Sequence, residues 1–220
     1  MRPDFLKGRP CVVTGRLGAG RYVLSYAHLE TPGSAQANAW LAHILSVLLG
    51  EGTAAAKVPA WDVAGRPVLW REPALVAARE ALESIIRTGQ EHFLLFWRNP
   101  WLLGWRRGIP GAGIGILYAL VREALASRPG EAAARFWRKA APGFARDMEL
   151  FRAGLGGYLL AERLAMTVLH SSPGSVPGRC LKEQRAALFG PPPASGGVYE
   201  SLLRPLEELG FLLWRDAQGA

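Results

Sequence analysis

Apolar positions recur along this chain with two different periods. Over residues 10–29, Val12-Val13 and Tyr22-Val23-Leu24 flank the glycine-bearing stretch Gly15-Arg16-Leu17-Gly18-Ala19-Gly20. β-Branched and aromatic residues on either side of a glycine turn predict a β-hairpin. Thr31-Pro32-Gly33-Ser34 then breaks the pattern, and Ser34 is a suitable N-cap. From Ala35 to Leu49 the period becomes helical, with Trp40, Leu41, Ile44, Leu45 and Leu48 on one stripe.

Residues 57–72, carrying Pro59, Gly65 and Pro67, predict a loop with one short strand, Val68-Leu69-Trp70. A second helix is expected from Ala74 to about Trp97. Leu75, Ala78, Leu82, Ile85 and Ile86 form its apolar stripe, Arg79, Glu80, Glu83 and Arg87 lie opposite, and Gly89 is a candidate break. Asn99-Pro100 ends it, and a glycine loop runs from Gly108 to Gly115. Three further helices are expected: Ile114–Ser127, a short basic helix Glu131–Ala141 stopped by Pro142-Gly143, and Phe144–His170, whose glycines imply close helix packing or a break near Gly156. Linkers follow at Ser171–Gly178 and Gly190–Gly197.

The tail predicts helix Leu181–Phe189, a turn, helix Val198–Leu209 with Gly210 as its stop, and a strand Phe211-Leu212-Leu213-Trp214-Arg215. Leu202-Leu203-Arg204-Pro205-Leu206-Glu207-Glu208-Leu209-Gly210-Phe211 resembles the junction between recognition helix and wing in winged-helix regulators. That resemblance implies DNA reading by the second helix, with Arg204 as its cation, or a packing module used for protein contacts or a homodimer. Glu200, Glu207, Glu208 and Pro205 depart from such a helix.

The expected fold is therefore mainly α: a helical core with a short N-terminal β-hairpin and a C-terminal helix-turn-helix-strand, winged-helix-like module. The regions are 1–72 (hairpin, helix and loop), 73–170 (helical core) and 180–220 (C-terminal module).

Composition narrows the function classes. Half of the 220 residues are hydrophobic, too many for a disordered chain. Cys11 and Cys180 are the only cysteines, which excludes a disulfide framework or a four-cysteine zinc site and suggests a cytoplasmic setting. No apolar leader follows Met1, and no apolar run reaches the roughly 20 residues of a spanning helix.

The net charge of +8 is unevenly spread. Arg98, Arg106, Arg107, Arg122, Arg128, Arg135, Arg138, Lys139 and Arg146 face only Glu123 and Glu131 within 49 residues, and the remainder of the chain is nearly neutral. Five of the eight tryptophans are followed directly by arginine, and Trp97, Trp101 and Trp105 stand four apart. Indole offers a face for base stacking and guanidinium neutralises phosphate. Candidate nucleic-acid contacts are Arg98, Trp101, Trp105, Arg106, Arg107, Arg135, Arg138, Lys139 and Arg204.

The primary expectation is a non-enzymatic nucleic-acid-binding (DNA-binding) or regulatory accessory protein whose basic residues converge on one face. The same Trp–Arg pairing suits an anionic membrane surface, and a third reading is a helical enzyme or small-molecule binder with a tryptophan-lined pocket. The Gly108–Gly115 loop lacks a preceding strand and neither glycine loop is followed by a Walker lysine, so tight turns or close packing are expected. His28, His43, His92 and His170 are scattered, His43 is expected in the core, and no nucleophile–base pattern occurs. No metal or cofactor is expected.

Overall fold

Glu72 begins the main helical body by accepting a hydrogen bond from the Leu75 backbone N–H at 3.0 Å, with Pro73 at the first helical position. The computed structural model describes residues 8, 10–31, 34–49, 65–99, 102–171, 179–191 and 196–218. The chain divides into two units, residues 1–61 and 62–220. The expected turn at Pro32-Gly33, Trp101, the loop before Gly65, and most of the 171–178 and 190–197 linkers lie outside the described residues.

In the first unit, β1 (Val12–Leu17) and β2 (Gly20–Ser25) pair antiparallel around Gly18-Ala19, with Gly18 at φ +58°. Helix α1 (Ala35–Leu49) follows. Its buried residue is polar: Asn38 donates to the carbonyls of Leu29 (2.9 Å) and Thr31 (3.1 Å), which ties the helix start to the chain leaving β2. His43, expected in the core, is exposed and meets Trp40 edge to face.

The second unit comprises α2 (Pro73–Glu91), a hairpin of β3 (Leu95–Asn99) and β4 (Leu102–Trp105), α3 (Gly111–Leu125), α4 (Glu131–Ser171), α5 (Arg179–Phe189) and α6 (Gly197–Gln218). Leu75, Ala78, Leu82, Ile85 and Ile86 are buried, as the stripe requires. The sequence predicted that α2 would run to Trp97, but it stops six residues earlier. Phe93 takes a left-handed conformation (φ +60°) and Leu94 N–H bonds back to Gly89. Gly89 does not break the helix. A β-carbon there would overlap the side chain of Leu95, so the bare face of Gly89 is where β3 folds back onto α2.

Val68–Trp70 forms no strand; the N–H groups of Leu69 and Trp70 both bond the Leu125 carbonyl and cap the end of α3. The two helices expected on either side of Pro142 are one, α4. Pro142 is exposed, so water can satisfy the carbonyl freed one turn earlier. Glycines 154, 156 and 157 stay helical, and the first leaves room for Leu188 of α5.

The C-terminal strand does not form. Phe211–Arg215 continues α6 through Pro205 and Gly210. Leu209, Leu212 and Leu213 are buried while Phe211 and Trp214 are exposed, which is a helical spacing rather than strand alternation. Without that strand there is no wing. Trp137 is 1% exposed and meets Phe144 edge to face, so it belongs to the core.

Candidate functional site

The β3–β4 hairpin gathers aromatic rings and arginines at one end of the second unit. Alternation along β3 puts Leu95 and Trp97 on one face and Phe96 and Arg98 on the other; Leu95 is buried, whereas Phe96, Trp97 and Arg98 are exposed. The Trp97 ring meets Tyr118 with centroids 6.1 Å apart. On the second face Phe96 stands opposite Gly104. A β-carbon on Gly104 would come within 2.6 and 2.8 Å of the Phe96 ring and 2.9 Å of the Arg98 stem. The bare glycine therefore lets the ring and the stem lie flat across β4.

The Arg106 guanidinium lies over the same ring, 5.5 Å from its centroid. Beside the hairpin, Arg163 of α4 caps Phe93 in the same way at 5.8 Å. Phe93 is 60% exposed and Leu164, next to Arg163, is 65% exposed. Leu160, Leu164 and Val168 follow at i, i+4, i+8 and form an exposed apolar stripe past this cluster.

Arg107 has a different role. Its Nε donates to Glu162 Oε2 at 2.9 Å, and Tyr158 Oη donates to Glu162 Oε1 at 3.1 Å. Glu162 is 7% exposed, so the hairpin is pinned to α4 through a nearly buried ion pair. Arg107 adopts φ +54°, which directs the chain into the left-handed Gly108 turn before α3. Burial, with the Glu162 carboxylate alongside, pushes the Tyr158 hydroxyl well above the ordinary tyrosine range.

The other expected contacts are dispersed. Trp105 packs its Cβ over Gly111 and exposes part of its ring. Trp101 lies outside the described residues. Arg135 pairs with Glu131 at 3.8 Å, Arg146 with Asp147 at 2.9 Å, and Arg204 with Glu200 on α6. Arg122 is buried and donates to the Arg66 carbonyl. Arg138 and Lys139 are exposed on α4.

Distance separates these groups. The hairpin is anchored at Glu162, which follows Arg135 by 27 residues and Lys139 by 23 on the same helix. At 1.5 Å per residue they are about 35–40 Å apart along the axis. The basic segment thus places Arg98 and Arg106 at one end of α4 and Arg135, Arg138 and Lys139 towards the other.

Residues outside the sequence reading (Phe93, Phe96, Gly104, Glu162 and Arg163) complete the cluster. A hairpin signal was present for part of it: two apolar runs, Leu94–Trp97 and Leu102–Leu103, separated by Asn99-Pro100. Among the described residues no group of three or more His, Cys, Asp or Glu gathers to hold a metal, and both cysteines are free and exposed. No described helix is long and apolar enough to cross a membrane. No family model, curated protein or solved structure matches the chain.

Proposed function

We propose that this is a non-enzymatic, peripheral accessory protein that docks on an anionic membrane surface through the β3–β4 end of its second unit. The observation that carries this reading is the pair of arginine-capped rings, Arg106 over Phe96 and Arg163 over Phe93, beside the exposed Leu160–Leu164 stripe. An aromatic ring with a guanidinium above it and aliphatic side chains alongside suits the headgroup boundary, where apolar groups enter and cations meet phosphate. It suits a nucleic acid less well. One side of the Phe96 ring lies against Gly104 and Arg106 covers the ring, so stacking a base there requires displacing a contact.

Nucleic-acid binding is the second reading, and the exposed Arg138 and Lys139 favour it. Their separation from the hairpin is close to the roughly 34–36 Å of one duplex turn, so both cationic ends could meet one backbone.

Co-sedimentation of the full chain with phosphatidylcholine vesicles, with and without phosphatidylglycerol, tests the first reading. Binding is expected only when phosphatidylglycerol is present. Arg98→Gln with Arg106→Gln should weaken it by roughly tenfold or more, at about 1 kcal/mol per basic residue. Leu164→Ser should weaken it with no change in salt dependence. Equal binding to both vesicle types, or to neither, overturns the proposal. Affinity for an oligonucleotide that falls steeply with salt and depends on Arg138 and Lys139 transfers the function to the second reading.

A further inference from the structure

The first unit contains a cleft of about 340 Å³ between α1 and one face of the β1–β2 hairpin, at the lower end of the range for ligand pockets. Val12 and Val23 line it from the hairpin, and Trp40, Ile44 and Val47 from the helix. Arg16 and Arg21 also line it, and they are directly opposite each other in the strand register.

Their placement is closer than the pairing alone indicates. Tyr26 N–H bonds the Cys11 carbonyl at 2.9 Å, which makes 11 and 26 a hydrogen-bonded pair. Alternation along the antiparallel ladder then makes Arg16 and Arg21 a non-hydrogen-bonded pair, the type whose side chains approach more closely. Like charges so placed repel and weaken a two-stranded sheet. Among the described residues of this unit the only acid is Glu30, and His28 Nδ1 holds its carboxylate at 2.8 Å. That carboxylate lines a different hollow, with Ser25 and Tyr26.

We propose that this cleft binds an amphipathic carboxylate, with an apolar chain between Val12, Val23, Ile44 and Val47 and an anionic head between Arg16 and Arg21. The opposed arginines identify the charge of the head, because an anion between them turns a repulsion into two charge-assisted hydrogen bonds. Val23 lies two residues from Arg21 and Val12 four from Arg16, so the apolar floor runs from about 7 to 13 Å from the cations at 3.3 Å per residue. That span fits a medium-length alkyl chain. This site is independent of the membrane-docking reading.

Isothermal titration of the full chain with decanoate below its micelle concentration, and with decanol as the uncharged equivalent, tests the proposal. Decanoate is expected to bind at least tenfold more tightly than decanol. In Arg16→Gln/Arg21→Gln the two should bind alike, at the decanol level, while Ile44→Asp should weaken both. The double variant removes a like-charge contact, so its melting temperature should not fall. The comparison on the unaltered protein holds even if a variant misfolds. Decanol binding as tightly as decanoate, no binding of either, or a decanoate preference that survives loss of both arginines overturns the proposal.

Discussion

The ring of Phe96 lies across the bare α-carbon of Gly104, its partner on the neighbouring strand. Tyr22 lies across Gly15 in the first unit in the same way, again as direct register partners. In each hairpin an aromatic ring covers backbone that a side chain would otherwise shield, and arginines stand nearby. The glycines are positions of close approach and not sites of flexibility.

Gly104→Val tests this arrangement. The new side chain overlaps the Phe96 ring and the Arg98 stem. Because Phe96 is partly exposed it can swing outward, so the expected cost is modest, about 1–2 kcal/mol by chemical denaturation. The sharper expected effect is functional: Arg106 loses its ring, and vesicle binding should fall more than stability does. Unchanged vesicle binding would separate the ring arrangement from docking.

Arg107→Ala should destabilise the second unit by about 2–3 kcal/mol, because it leaves the nearly buried Glu162 carboxylate with Tyr158 alone. Adding Glu162→Leu should recover part of that loss, since no unpaired charge then remains. Denaturation of both single variants and the double variant forms a cycle whose coupling term should be favourable to the native pair. An additive cycle would show that the pair does not pin the hairpin.

Alkaline pH should unfold the protein through its tyrosines. Burial raises the hydroxyl pKa of Tyr158, Tyr118 and Tyr199, with Glu162, Glu83 and Glu207 respectively adding to the effect. A folded value above the unfolded one means the stabilisation is complete below the unfolded value of about 10 and is lost as pH rises through the folded values. Melting temperature should therefore be level through neutral pH and fall above about pH 10. Tyr158→Phe should flatten part of that fall while costing about 1 kcal/mol at neutral pH, where Glu162 loses a donor. A fall of unchanged steepness in that variant would place the effect elsewhere.

Gly197→Ala should be among the most damaging single changes at the start of α6. Gly197 has φ +61°, and a β-carbon there overlaps the Ala187 carbonyl oxygen and lies 2.8 Å from the Leu188 carbonyl carbon. The obstacles are backbone atoms, which cannot rotate away as a side chain can. The expected loss is about 2–4 kcal/mol, with α5 released from α6. Faster hydrogen exchange over residues 179–189 would report that release.

Local pattern alone determined much of the secondary structure. The α2 stripe from Leu75 to Ile86, the bounds of α1 and the mainly helical class follow from periodicity, because burying one face imposes a 3.6-residue spacing wherever a helix packs on a core. Breakers were less informative. Pro142, Pro205 and Gly210 lie inside helices because packing along Phe144–Leu159 and Tyr199–Leu213 outweighs the local cost of each.

Tertiary structure alone decided the site. Asn99-Pro100 marks a turn between two apolar runs, but nothing from Phe93 to Arg107 signals that Leu95 will fold onto Gly89. Nor can charge counting show that Arg107 meets a carboxylate 55 positions later. Proximity in a folded chain is set by which faces pack together, and sequence distance along one 41-residue helix becomes a separation of tens of ångströms. The same basic segment that reads as one patch in a line of letters is therefore divided in space between the two ends of α4.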